Sequence, residues 1–361
     1  MDKGEIGRVL RELVTADGPS GIEARVRPVV QEFCAAYAAE VEVDALGSVI
    51  AHRPGRGGDG SAPGRVMLAA HLDEIGLIVT RVENSFLHVS KVGGVDPRNL
   101  IGQEVTIYPT GDGAERYPMG LPGYIGARPP HVLSPEDREK IVPLRDLRVD
   151  AGFPVEGLVR VGDRVAVRGP YTELMAGRVA TKALDNRASV AAMIGALGYL
   201  GLMQHSWDVY AVATVQEEIG LKGAGTSAFA VNPDIAIILD VTFGDTPGVD
   251  DDETVPMDAG PAIAWGPNLH PGIVKRLRAA ADAIELDYST EVAPGATGTD
   301  AWAIQMVRGG VPCGLVSVPI RYMQSAVETV ALADIDRTAR LLAAFISGLD
   351  AEFLASLPEE V

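Results

Sequence analysis

Three almost unbroken apolar runs in the second half of the chain constrain its fold most: DVYAVATVQ (208–216), DIAIILD (234–240) and PCGLVSVPI (312–320). Each is too short for a helix that must bury itself, and helix-like segments lie among them at Arg187–Met203, Pro271–Ile284 and Thr329–Leu349. Strands that are apolar on both faces and alternate with helices belong to a mainly parallel sheet covered on both sides. The expected fold class is therefore α/β. With 361 residues and 47% hydrophobic content, the chain can bury one large core and a smaller second one.

The first 40 residues read as helical, with a break at Gly18–Gly21, followed by the strand-like VEVDALGSVIAHRPG (41–55). The Gly-rich segment Arg56–Gly64 reads as an exposed turn between two strands. Between about Gly76 and Gly177 the texture changes to short alternating runs, LIVTRV, FLHVSKV, EVTIYP and DRVAVRG, separated by Gly, Pro, Asn and Asp. That is the pattern of a small β-barrel or sandwich. Within it, Ser134-Pro135-Glu136-Asp137 is a cap, a proline at the first helical position and two acids, which predicts one helical turn. The simplest organisation is one α/β domain built from residues 1–75 and 178–361, with a β-rich domain inserted at about 76–177.

A net charge of −18 repels nucleic acid and anionic membranes, so neither is an expected partner. Cys34 and Cys313 sit in apolar surroundings without a CxxC spacing and read as small core residues in a reducing compartment. The amphipathic start MDKGEIGRVLRELV lacks the apolar stretch of a signal peptide. The apolar segment Ala188–Met203 is too short to span a bilayer and reads as a buried helix. A cytoplasmic location is expected. The acidic run Asp250–Glu253 reads as a solvated loop.

Ligands of open α/β sheets bind beyond the carboxyl ends of the strands. Here RVMLAA runs into His71-Leu72-Asp73, VYAVATVQ into Glu217-Glu218, IAIIL into Asp240, and GLVSVPI into Arg321-Tyr322-Met323-Gln324. Asp185 opens the helix in KALDNRASV. Each residue has an ordinary explanation. A histidine at a strand end is more often structural than a ligand, paired glutamates are commonly an exposed turn, and Asp240 and Asp185 can be caps. As a set they are more informative. His71 and Asp73, two apart in extended backbone, point the same way, so the carboxylate can orient the imidazole. Glu217 and Glu218 project differently, so one can bind a metal while the other faces substrate as a base. One histidine with several carboxylates suits Zn²⁺, Co²⁺ or Mn²⁺.

HLDEIG (71–76), KALDNR (182–187), VQEEIGLKGA (215–224), LDVTFGDTPG (239–248), GTDAWAI (298–304) and VPIRYMQSAVE (318–328) together resemble the TET-type metallo-aminopeptidases, a family that includes glutamyl and deblocking aminopeptidases and some members labelled endoglucanase. GGVDPRNLIGQ (93–103) and RPPHVLSPEDREK (128–140) are similar to that family's inserted domain. The resemblance implies a zinc-peptidase-like α/β/α sandwich with an inserted small β-barrel used for dimerisation and substrate access. It implies two divalent metal ions, Zn or Co with Mn an alternative. Asp185 would bridge them, His71 and Asp240 would complete one site, and Glu218 would hold the other. Glu217 would be the general base and Asp73 would support His71. Peptides would be the substrates, and the chain would form a homo-oligomer, from a dimer up to a dodecamer. The "endoglucanase" label is set aside, because adjacent Glu217 and Glu218 do not form two carboxylates opposed across a sugar cleft.

The chain departs from the family pattern at one place. Where relatives carry a histidine in the motif RYMHS, this chain has Gln324. An amide oxygen is a poorer zinc ligand than imidazole, so the Glu218 site is expected to bind its ion weakly while some hydrolysis is retained. The other histidines, His52, His88, His131, His205 and His270, are not placed to substitute. The alternative is a catalytically impaired relative that serves as a binding, regulatory or structural subunit.

Overall fold

A computed structural model describes residues 3–56, 61–250 and 252–357. Residues 57–60 of the expected Gly-rich turn and Asp251 of the acidic run lie outside the described residues. An 11-stranded sheet forms the body. At its centre Asp208–Thr214, Arg65–His71, Ile235–Phe243 and Cys313–Arg321 run parallel and adjacent in that order. Antiparallel strands flank this core, Val49–Arg53 on one side and Glu328–Ala331 on the other. A branch, Ala262–Trp265 followed by Ser289–Val292, leaves the edge of Cys313–Arg321.

The helix Leu184–Leu200 is buried all round, as its unbroken apolar surface requires. It packs on the sheet beneath the helices Lys3–Thr15 and Leu332–Ser347. Among the described residues no helix is long and apolar enough to cross a membrane. Cys34 and Cys313 are buried and unpaired, and burial pushes the Cys34 thiol up to about 12.

Two expected helices have different starts. The first begins at Leu184 rather than Arg187, with Asp185 and Asn186 in non-helical backbone conformations inside its first turn. The second begins at Leu332, because Glu328–Ala331 forms a strand that pairs with Arg178–Thr181 on one side and Ile320–Arg321 on the other. Partners so distant in sequence leave no local periodic signal.

Six strands, Gly76–Glu83, Phe86–Val92, Arg148–Asp150, Leu121–Gly126, Glu104–Tyr108 and Arg164–Val167, close into an antiparallel barrel in that spatial order. Its own core contains Leu77, Val79, Val105, Ile107, Val149 and Val165. Ser134 caps the turn Pro135–Arg138 by accepting from the Asp137 N–H at 3.1 Å, as its sequence predicts.

A buried ionic cluster joins barrel and body. Lys182 Nζ lies 2.6 Å from Asp17 and 2.7 Å from Glu74. Glu74 also meets Arg187 at 3.2 Å and accepts from the Gly18 N–H at 2.7 Å. Tyr108, from the barrel, donates its hydroxyl to Asp17 at 2.6 Å and is stacked on its face by Arg25.

Candidate metal centre

His71 is the last residue of its strand, and the chain turns immediately after it. The turn is anchored by Leu72 N–H, which donates to the Thr214 carbonyl at 2.9 Å. Asp73, fully buried, accepts from Ser20 Oγ at 2.5 Å, from the Glu217 N–H at 3.0 Å and from the Glu218 N–H at 3.2 Å. One carboxylate thus fixes the 217–218 turn against the 71–73 turn. The nearest partner of His71 Nδ1 is the Asp73 carbonyl at 3.2 Å, with the carboxylate at 3.6 Å. Orienting the imidazole is therefore shared between Asp73's backbone and its side chain.

The other ring nitrogen faces the acids. His71 Nε2 lies 3.2 Å from Asp185 Oδ1 and 3.9 Å from Glu217 Oε2. His71, Glu217 and Asp240 each offer one ligand atom, all within 4.8 Å of one another. Asp185 does not cap its helix; that position is held by Ala183, and the Asp185 carboxylate turns to the imidazole instead.

Glu218 and Gln324 point toward the barrel loop. With Asp185 and Glu328 they line a cavity closed by Val95 and Leu100 of that loop. Two glycines make the approach possible: a Cβ on Gly93 would stand 2.8 Å from Glu218 Oε2, and one on Gly94 would stand 2.2 Å from Gln324 Oε1. Asp185 is common to both halves, touching His71 in one and lining the cavity of Glu218 and Gln324 in the other.

Two further buried acids belong here and were assigned no role from the sequence, although both lie in the motifs HLDEIG-to-VPIRYMQSAVE quoted above. Glu328 accepts from the Asp185 N–H at 3.1 Å and the Gln324 N–H at 2.6 Å, tying the two backbones together. Asp300 accepts from Thr214 Oγ1 at 2.5 Å, and Thr214 stands in register with His71. The usable signal for both is a carboxylate inside an otherwise buried stretch. Three of the five remaining histidines serve elsewhere: His52 stacks on Tyr210, His88 meets Glu83, and His205 bonds the Trp207 carbonyl.

The electrostatics describe a rim short of positive charge. Burial, with Asp240, Asp300 and Glu218 nearby, pushes Glu217 up to about 9. Burial and Asp185 push Glu218 up to about 7, and burial raises Asp240 well above the usual carboxylate range. Burial opposes the charged form of His71, but Glu217, Asp185 and Asp73 outweigh it and hold the imidazole well above its ordinary value. Crowded carboxylates around one imidazole are the donor set of a divalent cation, whose charge would let them all ionise. The residues present fit such an ion.

Comparison with known proteins points the same way. The family model described as M42 glutamyl aminopeptidase matches residues 47–341. The chain is 37% identical over 350 residues to the lysyl aminopeptidase of Pyrococcus furiosus, covering 94% of this chain and 96% of that protein. Its fold is similar to an aminopeptidase from the archaeon Desulfurococcus kamchatkensis, with a TM-score of 0.88, 36% identity and 98% of each chain covered. It is also similar to the TET1 peptidase of Pyrococcus horikoshii, which can assemble into a tetrahedron or a large octahedral shell, with a TM-score of 0.80, 30% identity, and 95% of this chain and 100% of that one covered.

Proposed function

This chain belongs to the M42 glutamyl aminopeptidase family and is a metal-dependent peptide hydrolase, and from that premise we propose that it removes N-terminal residues from peptides with Glu217 as general base. In this reading His71, Asp185 and Asp240 hold one divalent ion, Zn²⁺ or Co²⁺ with Mn²⁺ as an alternative. Asp185, Glu218 and Gln324 hold a second. The observation that carries the reading is the double placement of Asp185, 3.2 Å from His71 Nε2 and on the wall shared with Glu218 and Gln324.

When bound, the metal supplies an acidified water and a polarised scissile carbonyl. The chain's own residues do the rest. Glu217 takes the proton of the attacking water and delivers it to the leaving amine. Asp73 keeps Glu217 and Glu218 in place by accepting from both of their N–H groups. Glu328 keeps Asp185 beside Gln324. The free α-amine of the substrate, a cation, is attracted to a rim rich in carboxylates.

Gln324 makes the second ion the weaker one. Gln324→His is expected to tighten that site by about tenfold or more, since even changes to the partners of metal ligands shift affinity by 10–100-fold. Calorimetric titration of the metal-free protein with Zn²⁺ and Co²⁺ checks it. Two sites of equal stoichiometry and affinity in both proteins would remove the handicap ascribed to the glutamine.

A homo-oligomer of at least a dimer is also part of the proposal. Support comes from the assembly of the P. horikoshii relative and from Met119, Val132 and Ile141, large apolar side chains left exposed on the barrel. Light scattering after size exclusion at micromolar concentration is expected to give a multiple of the chain mass; a monomer overturns it.

A further inference from the structure

Side chains alternate across a strand, and neighbours in register share a face. Asp240 stands in register with Ser317, Ser317 with Ala262, and Glu291 with Ala264. Asp240, Thr242, Ser317, Ala262, Ala264 and Glu291 therefore occupy one face of the sheet. His71 is on that face too, because it lies two residues beyond Ala69, the partner of Ile238. The rim that carries the candidate metal ligands thus continues, on the same side, to a carboxylate on the branch strand Ser289–Val292.

Glu291 reaches the rim because the residues it must cross, Ala262 and Ala264, are small. Its carboxylate is held at both oxygens by hydroxyl donors, Thr242 Oγ1 at 2.9 Å and Ser317 Oγ at 2.8 Å. Both donors are neutral, so they orient the group and leave its charge in place. Among the described residues no lysine or arginine pairs with Glu291. Arg278, the nearby cation, bonds Thr290 and lies over Trp265, which are on the opposite face. Glu291 is half-buried, so a ligand can reach it. An aimed, uncompensated carboxylate beside a reaction centre calls for a cation from outside the chain.

Its place beside that centre says which one. Its two donors are Ser317, in register with Asp240 on the next strand, and Thr242, two residues past Asp240 and about 6.6 Å further along. An unbranched side chain of four carbons spans a similar length. We infer that Glu291 is a specificity-determining residue that receives the side-chain ammonium of an N-terminal lysine, and so selects peptides that begin with a long basic residue. The inference rests on the aminopeptidase reading for where the substrate's α-carbon sits, near Asp240 and His71.

Lysyl- and norleucyl-anilide test it, since the two side chains share an unbranched four-carbon chain and only lysine ends in an ammonium. The metal-loaded wild type is expected to favour the lysyl substrate in kcat/KM by about 10- to 100-fold, the range of a hydrogen-bonded charge. Glu291→Gln can still bond both hydroxyls but has no charge. It is expected to lose most of that ratio while the norleucyl rate stays within about threefold, as for a neutral swap of equal volume. A residue that merely clamped the strands would move both substrates together, so an unchanged ratio overturns the inference.

Binding of free lysine and norleucine, measured by calorimetry on both proteins, gives a readout that needs no turnover. If neither anilide is cleaved, the aminopeptidase reading fails. A lysine preference that Glu291→Gln abolishes then still supports the carboxylate's role, and equal binding of the two amino acids overturns it.

Discussion

Glu217→Gln is expected to lower kcat for amino-acid anilides by about 10³- to 10⁴-fold, the upper range for loss of a positioned general base. The substitution changes little else. The backbone at Glu217 is held by Asp73 through its N–H, a contact that does not involve the side chain. Glutamine has the same shape as glutamate but cannot accept a proton from water at neutral pH. Metal content and thermal midpoint should therefore stay near wild type while turnover collapses, with KM changing less than kcat. The check is steady-state kinetics beside metal analysis on the same preparation. A variant that keeps more than about a tenth of wild-type kcat with its metal intact would show that the proton goes elsewhere.

The second large effect is on stability. Lys182→Met removes the cation between Asp17 and Glu74, whose side chains are 12% and 5% exposed. Breaking a buried pair from one side leaves uncompensated charge and costs about 3–5 kcal/mol. In a chain of 361 residues that corresponds to a midpoint lower by about 5 °C. Arg187 still serves Glu74, so Asp17 is the more exposed to the loss. The double variant Asp17→Asn/Lys182→Met is expected to recover part of the deficit, because the stranded charge is gone. Calorimetric scans of the single and double variants decide this, and a double variant no better than the sum of the singles would count against it.

The same pair sets a pH dependence. Burial raises the Asp17 carboxyl, but Lys182 and the hydrogen bonds from Lys182 and Tyr108 outweigh it and hold it below its ordinary 3.8. A depressed carboxyl stabilises the fold fully above its unfolded value and loses that contribution as pH falls through the folded one. The Asp17 contribution should thus be intact at neutral pH and vanish in strong acid.

Much of this molecule is legible in its sequence for a simple reason. The strands Arg65–His71, Ile235–Phe243 and Cys313–Arg321 are apolar until the sheet ends, so the change to polar residues marks the rim. That is why His71, Asp240 and the turn at Glu217–Glu218 can be picked out before any coordinates. The barrel is legible from short alternating runs between turn residues. What stays hidden depends on contacts between distant segments. Thr329–Ala331 looks like the start of a helix, and only pairing with Arg178–Thr181 and Ile320–Arg321 makes it part of a strand. Glu291 sits in the unremarkable segment Ser289–Val292, and its relation to Thr242 and Ser317 exists only once the sheet branches. Asp73 is visible as a partner of His71, but its grip on two glutamate N–H groups is not.

Gly93 and Gly94 belong to the barrel, yet they form the wall against which Glu218 and Gln324 lie. His71 closes its strand and Asp240 lies within another, so both are set by the sheet and not by that wall. In the proposed two-ion reading, Asp185 couples the two sites, but a change confined to the barrel loop would act first on the Glu218 and Gln324 side. A barrel exchanged between relatives would then carry part of its donor's metal preference with it.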